Sequence, residues 1–124
     1  MEIVAESYDD DSKEAAQDFA EKVMEAHGDL AGIICCDMNN PVGAARAAIK
    51  MGRTGDVLIV GMDHDKEALR YLKNGIIYAL AVQDCYSIGF DTVQVAVKIA
   101  DGLQPGSAYP EKTDERTTIY GESR

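Results

Sequence analysis

The stretch GIICCDMNNPVGAARAA, Gly32 to Ala48, sets the pattern for the chain. Ala31 to Cys36 is a continuous apolar run, as expected of a strand covered on both faces. It stops at an acid, Asp37. Asn40 is a good N-cap, and Pro41 stands where proline is favoured, at the first helical position. An alanine-rich helix over Val42–Met51 follows and ends at Gly52.

The same alternation extends in both directions. Upstream, Ile3-Val4-Ala5 reads as a short strand, and Asp11 with Glu14 can form a capping box for the next helix. That helix carries Ala15, Phe19, Val23 and Ala26 near one face and stops at Gly28. Downstream, Val57–Val60 is a strand, Asp65 caps a helix over Lys66–Asn74, and Gly75 closes it. Ile76–Val82 is a further strand and Ser87–Ala100 a further helix, stopped by Gly102. Leu103–Glu115 is a polar connection with two prolines, and Thr117–Tyr120 is a last, β-branched and aromatic strand. Strand-helix repeated four times, then one strand, predicts an α/β fold of three αβα layers with a mostly parallel sheet.

Composition bounds the function. The 124 residues fit one domain. The formal net charge of −10 repels phosphate backbones, which argues against nucleic-acid binding. Asp9-Asp10-Asp11 lacks the glycine and later acids of a calcium loop, so no metal or cofactor is expected. No apolar run approaches membrane-spanning length. The chain opens Met-Glu-Ile with no signal peptide; taken literally it is made in the cytoplasm, and a fragment of a longer secreted chain would look the same. Cys35, Cys36 and Cys85 include no C-x-x-C pair and read as small apolar residues. An enzyme would have to be built on Cys35, Cys36, Asp37 and His64, where no set of nucleophile, base and orienting group is visible.

In open α/β sheets ligands bind outside the carboxyl ends of the strands. Three successive strands end at Asp37, at Asp63 in Val60-Gly61-Met62-Asp63, and at Gln83. The loop before the first helix adds Asp9, Asp10, Asp11 and Lys13 to the same rim. Carboxylates accept several donors and an amide both gives and takes, which suits the neighbouring hydroxyls of a sugar or polyol. Each residue also has a plain structural reading. Asp37 can cap the turn through Asn39 and Asn40, Asp63 can be a helix-entry acid, and Gln83 a satisfied strand end. Gly52-Arg53-Thr54-Gly55 follows a helix, so it is a turn and not a phosphate loop.

The motifs AHGDLAGIICCDMNNPVGAARA, DVLIVGMDHDKEALRYLKNG and AVQDCYSIGFDTVQVAVKIADG together resemble the C-terminal part of a type I periplasmic binding protein of the ribose-binding kind. The resemblance covers essentially the whole chain. It implies a non-enzymatic receptor for a small sugar or polyol, serving an ABC-transporter membrane permease from a periplasmic or lipoprotein-anchored position. It places ligand contacts on Asp37, Asp63 and Gln83, with Asp11 and Lys13 before the first helix; Cys85 stands where the family has a proline. It also implies three segments. Residues 1–83 form the ligand-binding lobe core, and 84–102 a helix packed on a missing N-terminal lobe. Residues 103–124 form a connection and final strand. Ser87–Ala100 is apolar nearly all round, with only Asp91 and Lys98 charged, so it expects burial on several sides or a homodimer through that helix. The effector core of a LacI-type transcription regulator shares this fold and is the alternative.

Overall fold

The structure, a computed structural model, describes residues 2–8, 11–102 and 117–121. The expected rim acids Asp9 and Asp10 and the connection over 103–116 lie outside the described residues. The chain divides into two compact units, residues 1–82 with 119–124, and residues 83–118.

In the first unit, helix α1 (Lys13–Ala26) leads to strand β1 (Gly32–Ile34), helix α2 (Asn40–Lys50), strand β2 (Leu58–Met62), helix α3 (Lys66–Lys73) and strand β3 (Ala79–Gln83). The strands run parallel, β1 on β2 from Gly32 opposite Leu58 and β2 on β3 from Val60 opposite Ala79. Strand β4 (Thr117–Gly121) completes the order β1-β2-β3-β4. The predicted α/β architecture with a parallel sheet is what forms.

Four expectations are corrected. Residues Ile3 to Ala5 form no strand; Ile3 and Val4 are exposed, so three apolar residues between acids had no surface to pay for ordering the backbone. The cap of α1 is Ser12, whose Oγ accepts the Ala15 N–H at 3.2 Å, while Asp11 takes a left-handed φ of 61° just before it. The buried face of α1 is Ala16, Ala20 and Met24, one position on from the predicted stripe. It is a stripe of small residues because α2 lies close: a Cβ on Gly43 would stand 2.6 Å from the Cβ of Ala16. Finally, β1 is short and is not covered on both faces. Ile59 is fully buried, whereas Ile34, Leu58 and Val60 are exposed, so within this unit the helices cover one side of the sheet.

The core joins Ala20, Met24, Val42, Ala45, Ile59, Ile77 and Leu80 beneath α1 and α2. Arg53 closes the far end: its guanidinium donates to the carbonyls of Met24, His27 and Gly28 at 3.2, 3.1 and 2.9 Å, satisfying orphan acceptors at the C-terminus of α1. In the second unit, helix α4 (Cys85–Ala100) is capped by Asp84, which accepts the Ser87 N–H at 3.1 Å. None of its residues is buried.

Candidate functional site

Parallel strands put successive strand-to-helix turns at one edge of the sheet. The first turn there carries Asp37. Its Oδ1 accepts the backbone N–H groups of Asn39 and Asn40, both at 2.7 Å, and Oδ2 accepts the side-chain amide of Asn40 at 2.7 Å. A carboxylate offers about four acceptor positions, so Asp37 spends most of its capacity on the N-terminus of α2. The plain structural reading of this acid is thus realised in the bonds it makes. Asn39 turns the other way and donates to the Asp11 carboxylate at 2.6 Å and carbonyl at 3.1 Å, tying the α1 entry to the Asp37 turn.

The second turn carries Asp63, directly after β2. Its backbone N–H donates to the Ala81 carbonyl at 2.9 Å, extending the ladder by one residue. Its φ of 63° is left-handed, a conformation that aspartate tolerates better than most side chains. Two residues on, Asp65 caps α3 as predicted: Oδ1 accepts the N–H of Glu67 at 2.8 Å and of Ala68 at 3.4 Å. Its other oxygen, Oδ2, lies 3.2 Å from the Lys13 ammonium, which is also 3.8 Å from Glu67. Burial works to raise the Asp65 pKa, but the two N–H groups and Lys13 together outweigh it and hold the carboxyl below its usual range.

Glu67 is the hub between helices. Arg46 on α2 grips both its oxygens, with Nε and Nη2 each at 3.0 Å, and the Tyr71 hydroxyl donates at 2.9 Å. The Arg46 bonds, against a smaller opposing effect of burial, hold the Glu67 carboxyl below its ordinary pKa. Gln83 is the last residue of β3, exposed, and the first of the second unit.

Asp11, Lys13, Asp37 and Asp63 therefore belong to turns of the first unit that hydrogen bonds and ion pairs join in series. Sequence reasoning missed Asn39, Asp65 and Glu67 as the joints. For Asn39 the signal was present in the Asp37-x-Asn39-Asn40 spacing; for Glu67 there was none, because its partners are distant in sequence. His64 and Cys36 are exposed, and the described cysteines form no disulfide. In the second unit a shallow concavity of about 460 Å³ runs along α4, lined by Cys85, Tyr86, Gly89, Phe90, Val93 and Gln94. Its polar groups are few, chiefly the Tyr86 hydroxyl and the Gln94 amide.

Comparison with known proteins adds to this geometry. Residues 1–104 match the periplasmic binding protein domain family. The D-allose-binding periplasmic protein of Escherichia coli (strain K12) is 28% identical over 110 residues, covering 89% of this chain and 34% of that protein. Two solved structures from Geobacillus stearothermophilus are similar at 25% identity. A glucose-galactose binding protein superposes with a TM-score of 0.84, over 97% of this chain and 41% of that one. An arabinose binding protein superposes with a TM-score of 0.79, over 98% and 43%. The chain thus spans about a third of the curated relative it matches.

Proposed function

The chain belongs to the periplasmic binding protein domain family, and on that premise we propose that it contributes one side of a receptor site for a small sugar or polyol. The observation that carries the reading is the succession of polar residues at the carboxyl ends of β1, β2 and β3: Asp37, Asp63 and Gln83. In this reading Asp63 is the principal acceptor for sugar hydroxyls. Among the described residues its carboxylate meets no side-chain or backbone donor, unlike that of Asp37. Asp37 offers its remaining acceptor position, Gln83 both donates and accepts, and Asp11 and Lys13 complete the rim.

The receptor would hand its sugar to an ABC-transporter membrane permease from the periplasm or an extracytoplasmic, lipid-anchored position. Residues 1–83 would form the lobe core and 84–102 the helix that packs on the part of a receptor this chain does not span. Residues 103–124 would be the connection and final strand. The apolar residues Tyr86, Phe90, Val93 and Val97, at three-four spacing and all exposed, support that packing role for α4. Produced alone, the chain would cover the same face with a second copy. Binding without enzymatic turnover is the reading that the sugar-binding relatives support.

One side of a site binds weakly. Loss of two charge-assisted bonds, at about 1.5–3 kcal/mol each, weakens binding by about two to four orders of magnitude. Titration with D-allose, D-galactose and L-arabinose should therefore give no heat at micromolar concentration, and amide shifts at Asp37, Asp63 and Gln83 by nuclear magnetic resonance at millimolar sugar. Asp63→Asn should abolish the shifts. A micromolar dissociation constant, or shifts confined to other turns, would refute the reading.

A further inference from the structure

Lys13 breaks a local rule. It occupies the first position of α1, where the unsatisfied N–H groups make the helix end positive and favour an acid. A cation there is unfavourable unless something outside the helix compensates. The compensation comes from α3: Asp65 Oδ2 at 3.2 Å and Glu67 Oε2 at 3.8 Å. The Lys13 backbone is fixed as well, since α2 crosses this turn so tightly that a Cβ on Gly43 would lie 2.7 Å from the Lys13 carbonyl oxygen. The ammonium therefore projects from an immobile base.

What it grips is the turn that bears Asp63. That residue holds a left-handed backbone, which even aspartate adopts more readily when its neighbours are anchored. On one side its N–H is anchored to the Ala81 carbonyl. On the other, Asp65 divides its two oxygens, one to the first N–H groups of α3 and one to Lys13. We propose that Lys13 is a positioning residue for the candidate sugar site: it latches the turn between β2 and α3 onto the start of α1 and so fixes the direction of the Asp63 carboxylate, acting through Asp65. This rests on the reading of Asp63 as the sugar-facing acid, but the latch can be read without any sugar.

Amide hydrogen exchange on the 124-residue chain tests it, with Tyr78 as the internal reference because its N–H donates to Ile59 within the core at 2.8 Å. For a half-exposed ion pair, Lys13→Met should speed exchange at Asp63 about two- to fivefold while leaving Tyr78 unchanged. Lys13→Arg, which keeps the charge, should restore the slow rate. At 1 M salt the wild type should move only part of the way toward Lys13→Met, because salt screens a partly buried pair less than an exposed one. Unchanged exchange at Asp63, an equal rise at Tyr78, or no rescue by arginine would overturn the latch. A millimolar D-allose titration of the same samples separates the two ideas. If Asp63 exchange responds as expected but D-allose shifts no residue of that turn in the wild type, the sugar reading fails and the latch stands. If D-allose shifts Asp63 in the wild type and equally in Lys13→Met, the positioning role is overturned and the sugar reading stands.

Discussion

Seven of the eleven residues of α2 are buried; of the sixteen in α4, none is. Composition alone would have ranked them the other way. Five of the eleven residues of α2 are alanine or glycine, whereas α4 carries Tyr86, Ile88, Phe90, Val93, Val97 and Ile99. The difference lies in fit. α2 rests on β2 through the contact of Pro41 with Gly61, and on α1 through Gly43, at distances that admit no larger side chain. Its small residues bury little area each but lose almost none of it to gaps. α4 has the larger apolar surface, yet none of its residues is buried. Burial belongs to a pair of surfaces, and one helix cannot supply both.

The sharpest way to break the comparison is to damage the surface beneath α2. Ile59 is fully buried in the core shared with Val42 and Ala45, and Ile59→Ala should cost about 2–5 kcal/mol in denaturant unfolding. A loss below 1 kcal/mol would mean that this core does not carry the fold. Next is Gly43→Ala. The added methyl meets the Ala16 Cβ and the backbone of α1 at 2.6–2.7 Å, so the helices must separate, at about 1–3 kcal/mol. The same substitution at Gly89 of α4 meets nothing within 4 Å and should not destabilise the chain.

A smaller effect is expected at the polar seam between α2 and α3. Arg46→Met removes a two-pronged, half-exposed grip on Glu67 and should cost about 1 kcal/mol at neutral pH. Glu67 is held below its ordinary pKa, so the grip contributes fully above the unfolded carboxylate value of about 4 and is lost as pH falls through the depressed native value. Melting curves from pH 7 to pH 3 should show the gap between wild type and Arg46→Met closing on the acid side. A gap that widens there reverses the sign and refutes the assignment. The smallest change in stability is expected on α4. Measured at high dilution, where the chain is monomeric, Val93→Asp with Val97→Asp, both at exposed positions, should shift unfolding by less than about 0.5 kcal/mol. In light scattering the same pair should convert a wild-type dimer to a monomer. A wild type that is monomeric at high concentration, or a dimer indifferent to both charges, would remove α4 as the docking face.

Much of this was legible in the chain itself. Elements whose ends carry their own signals came out at or within a residue of the expected places: Gly52 and Gly75 with left-handed backbones closing α2 and α3, Asp65 capping α3, and Pro41 in the first turn of α2, whose cap is Asn39 and not the expected Asn40. The polar residues at the strand ends were legible for the same reason, since an apolar run that stops at an acid marks its own boundary. The strand expected at Ile3 to Ala5 failed because a strand needs a neighbour, and three apolar residues do not announce whether one exists. The cap of α1 was missed because Asp11 and Ser12 are both acceptable, and only the left-handed turn at Asp11 chooses between them.

The sequence by itself determined the alternation of strands and helices, their parallel order and the residues at the edge of the sheet, because periodicity and caps are local and the connections are short. Tertiary structure alone decided which acid spends its acceptors within the fold. Asp37 and Asp63 look alike in the chain, each following an apolar run. Folding closes the α2 N-terminus around the first and leaves the second on a left-handed turn, held through Asp65 by a lysine some fifty residues upstream. The same holds for Arg53, an ordinary turn arginine until packing brings it to the end of α1. A side chain's donors and acceptors are fixed by its chemistry, but which of them remain unspent depends on what the fold brings within 3 Å.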